Sequence, residues 1–179
     1  MIKEDFRPTP SSMDRAINTA LDEYKKYPGL RNDYIVIVNY RDPSFKKRLY
    51  VYDLNHQIVV RLHHVAHGSK SSLEANQAFA TYFSNKIGSR KSSLGAMKTG
   101  KTYYGKYGKS LKLHGLEPGK NNMVYARSIV LHSSRYVTDV YILEHGRAGQ
   151  SWGCLAVDPS ISDSLIELIK EGCFVYAYY

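Results

Sequence analysis

The chain holds 179 residues, 43% of them apolar and 23% charged, the balance of one ordinary globular domain and not of a disordered chain. Lys and Arg number 25 against 16 Asp and Glu, a net charge of +9, which suits a polyanionic partner such as nucleic acid, an anionic lipid surface or an acidic wall polymer. No apolar run approaches the roughly 20 residues that span a bilayer, so no transmembrane segment is expected.

Residues 1–10 read as a short arm, and MIKEDFRPTP lacks the apolar stretch of a secretory signal. Met13, Ala16, Ile17, Ala20, Leu21 and Tyr24 recur at helical spacing behind a Ser11 or Ser12 cap, and Pro28-Gly29 closes that helix. Strands follow at Tyr34–Tyr40, Arg48–Leu54 and Gln57–Ala66, β-branched and aromatic runs parted by a hairpin at residues 53–56. Residues 67–93 are rich in Ser, Gly, Asn and Lys, with one short helix expected around Leu73–Phe83. Long irregular stretches in compact domains are often functional.

Three more strands are expected at Ala96–Tyr104, Ser110–Leu116 and Ser128–Ser133. A helix over Asp158–Glu171 has Asp158 as cap, Pro159 at its first position and Gly172 as its stop. Cys173–Tyr179 reads as a final strand. Strands outnumber helices and no repeat divides the chain, which gives a β-rich α+β domain with a mainly antiparallel sheet or sandwich.

Seven histidines invite a metal reading, but His63 and His64 point to opposite faces of a strand and lack acidic or thiol partners at ligand spacing. No metal and no cofactor is expected. The two cysteines fit neither a redox pair nor a zinc site, and parity alone leaves a Cys154–Cys173 bridge open. Cys173 opens the apolar run CFVYAYY and reads as a small core residue. Cys154 ends the glycine-containing segment HGRAGQSWGC, where a tight turn exposes a thiol and aims the N–H groups of Gly153 and Cys154 at a developing oxyanion. Its base would be His132, held at the end of the apolar run Ser128–Leu131. A buried cysteine beside an unrelated histidine is the alternative. Tyr103, Tyr104 and Tyr107 either wall a cleft or simply fill half-buried strand positions.

The strings LGAMKTGKTYYGKYGKSLKLHGLE, ARSIVLHSSRYV and HGRAGQSWGCLAV resemble the YkuD-type L,D-transpeptidase catalytic-domain family, in particular a branch with an SWGC cysteine motif. The resemblance covers residues 34–179, leaving 1–33 as an arm and helix packed on that domain. It implies the family's α+β fold, with one helix before the sheet and one after the cysteine. It also implies Cys154 as nucleophile, His132 as base, Gly153 as the tight turn, Ser151 at the motif's hydroxyl position and His114 on a neighbouring strand facing the cleft. Trp152 stands where the motif has a histidine, so His114 or Ser133 would orient the site instead. Ala156 stands where many members carry Arg or Asn, which passes carboxylate recognition to Arg147 or Arg127, with Trp152, Tyr104 and Ser133 also facing substrate.

The activity implied is acyl transfer on peptidoglycan stem peptides through a Cys154 thioester, giving 3→3 cross-links or D-amino-acid exchange. Hydrolysis of the same peptides, and non-catalytic binding to the wall, are the alternatives. Stem peptides and anionic wall polymers would be the partners of a monomer acting in the periplasm, cell wall or extracellular space. The basic residues are scattered and no nucleic-acid motif is present, so nucleic acid is not expected as a partner.

Overall fold

Helix α1 (Ser12–Tyr24) is the first element that the computed structural model describes; it covers residues 11–179, and the expected arm at 1–10 lies outside them. Ser11 caps α1 through a reciprocal box with Asp14, satisfying free N–H groups of the first turn. The strands are β1 (Tyr34–Asn39), β2 (Leu49–Asp53), β3 (Ile58–His63), β4 (Gly95–Gly105), β5 (Gly108–Gly115), β6 (Val130–Ser133), β7 (Leu155–Val157) and β8 (Phe174–Tyr178). Helices α2 (Asp139–His145) and α3 (Pro159–Ile169) lie between β6 and β7 and between β7 and β8.

All eight strands form one mixed sheet in the order β3-β2-β1-β8-β4-β5-β6-β7. Most neighbours are antiparallel, as expected, but β1 with β8 and β6 with β7 run parallel. The sheet is covered on both sides, which is why β1 and β2 read as unbroken apolar runs. One face carries Val36, Val51, Met97, Leu113, Leu131 and Val175, and packs against Leu165, Ile166 and Ile169 of α3. The other face carries Ile35, Tyr50, Phe174 and Tyr176 under Ala16, Ile17 and Ala20 of α1. Each aliphatic side chain so buried contributes about 1.5–3 kcal/mol.

Three elements differ from the sequence reading. Residues 73–83 form turns and bridges instead of a helix, because Thr81 and Tyr82 both donate their N–H to the Ser71 carbonyl and pull the segment across the loop. Helix α2 was not expected; Thr138 caps it and Gly146 ends it in the left-handed region at φ 69°. Strand β7 is three residues long and pairs only with β6, too short for an alternation to register.

Candidate active site

Register decides what the second sheet face presents beyond α1. Lys98 pairs with both Phe174 and His114, Lys112 with Val130, and Ser110 with His132. Paired residues share a face, so Lys98, His114, Lys112, Val130 and His132 continue the α1 side of the sheet, outside the α1 cluster. His132 pairs in turn with Ala156 of β7. Cys154 precedes Ala156 by two residues and therefore belongs to the same face, diagonally across from His132. From strand spacing and rise, that diagonal is about 8 Å between Cα atoms.

The His132 ring is held by two contacts. Its Nδ1 lies 2.8 Å from the Ser133 carbonyl oxygen, so Nδ1 carries the proton and Nε2 keeps its lone pair. The ring stacks on Tyr107 at 4.4 Å between centroids, and Ser133 Oγ donates to the Tyr107 carbonyl and holds that turn in place. Burial lowers the affinity of His132 for a second proton, against the pull of the Ser133 backbone.

The structure does not place Cys154 in hydrogen-bond contact with His132: its Sγ donates to the Ser128 carbonyl oxygen at 3.6 Å. Burial pushes the thiol above its ordinary value, and the Val130 N–H and the Arg127 guanidinium offset this only in part. The lowered thiol pKa that an adjacent imidazole would cause is absent. Ser128 reaches this position with φ 54°, a left-handed conformation that a serine adopts at some cost.

The Ser151–Cys154 turn is held from within. Ser151 Oγ donates to the Cys154 carbonyl at 2.8 Å and accepts the Gly153 N–H at 3.0 Å. The Gly153 N–H thus points inward and not at the cleft, contrary to its expected oxyanion role. Gly153 itself has φ 115°, and a Cβ there would meet Ile129 Cδ1 and the Lys91 carbonyl oxygen at 2.7 Å. The turn is anchored to the long loop by Ser151 N–H to the His67 carbonyl and by Ser69 N–H to the Ser151 carbonyl. His67 is buried with the Arg48 guanidinium 2.8 Å from its Nδ1. Burial, Arg48 and Arg147 together push His67 down to about 3, and burial brings Arg48 down to about 10.

The remaining expected site residues separate. Arg127 donates both Nη groups to Ser84, Ser89, Lys91 and Ser93, so it clamps the loop beside Gly153 and has no fork left for a substrate carboxylate. Arg147 donates to the Ala148 carbonyl and lies toward His67. Ala156 is fully buried against Ala66 and Val137. Trp152 is exposed, with the Arg90 guanidinium 4.2 Å above its ring. Tyr104 pairs with Lys109, whose ammonium joins Glu167 of α3, so it stands on the opposite side from His132. Its neighbour Tyr103 is the one that faces the cleft. His114 faces the same cleft but stacks on Tyr125 at 4.7 Å and is remote from His132 along β5. Tyr107, one of the three tyrosines weighed as cleft walls, does stand at the site, against His132; Lys112 and Tyr125 were not singled out by sequence, and for Lys112 the period-2 alternation Leu111-Lys112-Leu113-His114 was the available signal.

A family model of the L,D-transpeptidase catalytic domain matches residues 9–178. No curated protein matches the chain. Solved structures similar to it include an L,D-transpeptidase from Mycobacterium smegmatis, 10% identical over 82% of this chain and 59% of that one, with a TM-score of 0.48. An L,D-transpeptidase in complex with imipenem is 11% identical over 80% of this chain and 58% of that one, with a TM-score of 0.47. The helical cell shape determining protein Pgp2 from Campylobacter jejuni is 16% identical over 94% of this chain and 56% of that one, with a TM-score of 0.48. The chain therefore spans less than two thirds of each of these structures. What decides the family is the match along residues 9–178: this chain belongs to the YkuD-type L,D-transpeptidase catalytic-domain family.

Proposed function

We propose that the domain is a cysteine acyltransferase that acts on peptidoglycan stem peptides in the cell wall or periplasm. The observation that carries this is the His132 ring, locked by its Nδ1–H on the Ser133 carbonyl with Nε2 free, on the same sheet face as Cys154. A general base needs both a fixed tautomer and an open lone pair. The buried-cysteine alternative has no use for either.

Chemistry would begin when the Cys154 S–H leaves the Ser128 carbonyl and turns toward His132 Nε2. The proton passes to Nε2 as sulfur attacks the carbonyl at the L-centre of the stem's diamino acid. The tetrahedral oxyanion takes the Cys154 N–H as its loop donor, because the Gly153 N–H is held by Ser151. Collapse expels the D-amino acid, whose amine takes the proton back from His132. The thioester is then resolved by the side-chain amine of a second stem, by a free D-amino acid, or by water. A site whose thiol is protonated at rest suits this route, since the proton moves only once substrate is in place. The net charge of +9 favours an anionic wall polymer as surroundings, and the SWGC turn marks the branch within the family.

The test is to incubate the protein with disaccharide-tetrapeptides, with and without D-methionine, and follow products by mass. Exchange product or 3→3 dimer is expected. Cys154→Ala abolishes both, and His132→Ala lowers the rate at least ~100-fold by removing the base. Tripeptide alone would make the protein a hydrolase. Muropeptides left intact by a protein that nonetheless co-sediments with purified walls would make it a binding module.

A further inference from the structure

Between Cys154 and the α1 end of the cleft lies a cationic pocket that the acyl-transfer chemistry does not use. Lys112 is half-buried on β5, with its ammonium 5.7 Å from the centre of the Tyr103 ring and 5.4 Å from that of Tyr125. It also donates to Tyr125 Oη at 3.4 Å. Two rings that frame an ammonium restrict where its chain can go, so the charge is presented at a fixed place.

Lys112 lines two adjoining hollows of the face. One, of about 350 Å³, reaches Ser128 and Val130 next to the Cys154 sulfur. The other, of about 480 Å³, runs on to Lys98, Lys101 and His114, with Glu171 as its one acidic lining residue. Gly100 opens that second hollow, because a Cβ there would stand 2.6 Å from His114 Nε2. Among the described residues Lys98, Lys101 and Lys112 form no ion pair, whereas Lys109 and Lys170 on the far side both reach Glu167. Lys109 and Lys170 are thus held by a carboxylate of the fold, and the three lysines of the cleft are left for something else.

Position identifies what that is. Lys112 pairs with Val130 on β6, and Cys154 immediately precedes β7, the next strand, so Lys112 and Cys154 are about two strand spacings apart, ~10 Å. That is the scale of one long side chain measured from the attacked carbonyl, and too short for a group several residues away. We infer that Lys112, framed by Tyr103 and Tyr125, binds a carboxylate at the far end of the side chain whose own carbonyl Cys154 attacks. The cleft then selects a diamino diacid with a free distal carboxylate over its carboxamide. This rests on the acyl-transfer reading for the place of the scissile bond, and its test is independent of turnover.

The experiment uses Cys154→Ala protein, which cannot react, and reads binding by calorimetry. The two ligands are disaccharide-tetrapeptides that differ only in whether the distal carboxyl of the diamino acid is free or amidated. The free acid is expected to bind about ten-fold more tightly, since a charge-assisted contact replaces a neutral one. Adding Lys112→Met, which keeps an apolar stem between the rings, brings the ratio to about one, and Lys112→Arg restores most of it. Each ratio compares two ligands on the same preparation, so partial unfolding of a variant cancels. Equal affinities in the Lys112 protein, a ratio that survives Lys112→Met, or no binding of either ligand would overturn the subsite. A clear ratio in a protein whose Cys154 form turns nothing over would leave the subsite standing and refute the acyl transfer.

Discussion

Cys154 and Cys173 differ in ways their shared chemistry hides. Cys173 is fully buried, its thiol 3.2 Å from the Tyr34 carbonyl, and burial pushes it up to about 12. Cys154 is partly exposed and raised above its ordinary value of 9.0 by burial, with Arg127 and the Val130 N–H opposing. Both are thiols at neutral pH. Brief iodoacetamide treatment followed by mass spectrometry should label Cys154 before Cys173, on grounds of access. Because the thiolate is the reactive form, the Cys154 rate should keep climbing as pH passes 9. A plateau already reached at pH 7 would show instead a thiol lowered by its histidine. Gly153 allows an equally local test. Ala there must adopt φ 115° and displace the Lys91 carbonyl, so Gly153→Ala should cost about 1–3 kcal/mol of stability by urea unfolding and most of the activity.

At the scale of elements, the parallel β6–β7 pair sets His132 and Cys154, while the loop from His67 to Ser93 supports the turn between them. That loop carries a pH dependence. Folded His67 sits at about 3 and an unfolded histidine near 6.5. Between these values the unfolded chain binds the extra proton, so stability is full above pH 6.5 and is lost as pH falls toward 3. At pH 4.5 the loss is about 3 kcal/mol, and His67→Gln should flatten that limb in urea titrations at pH 7 and 4.5. An equal fall in both proteins would place the acid sensitivity elsewhere. The strands β1, β2, β5 and β8 were readable because the sheet buries both of their faces or alternates cleanly. The Ser151–Cys154 turn was readable through its glycine and cysteine. Helix α2 carries caps in Thr138 and Gly146 but is only seven residues long, too short for its helical period to stand out, and the roles of Arg127 and Tyr104 were not legible at all. A guanidinium bonded to four loop residues across the fold, and a tyrosine placed by a β-bulge between Thr99 and Thr102, depend on register that no local pattern encodes.

The whole molecule divides one sheet face between two uses. Helix α1 seals it over β1 and β8, and beyond that helix the face opens as a cleft in which Lys98, Lys101 and Lys112 form no ion pair among the described residues. No helix among the described residues is long and apolar enough to cross a membrane. The strand order has a further consequence, in the order of events by which the sheet can assemble. Strands β1–β3 and β4–β7 can each pair locally, but only β8 joins them, lying parallel to β1 and antiparallel to β4. Its pairing with β1 closes a loop of more than a hundred residues, and such non-local contacts make folding slow. Until β8 is synthesised, both half-sheets expose an edge that a second chain can occupy. A charge in the middle of that strand, as in Val175→Asp, should therefore lower the yield of folded protein on refolding far more than a charge on β3, with intermolecular β-aggregates taking its place.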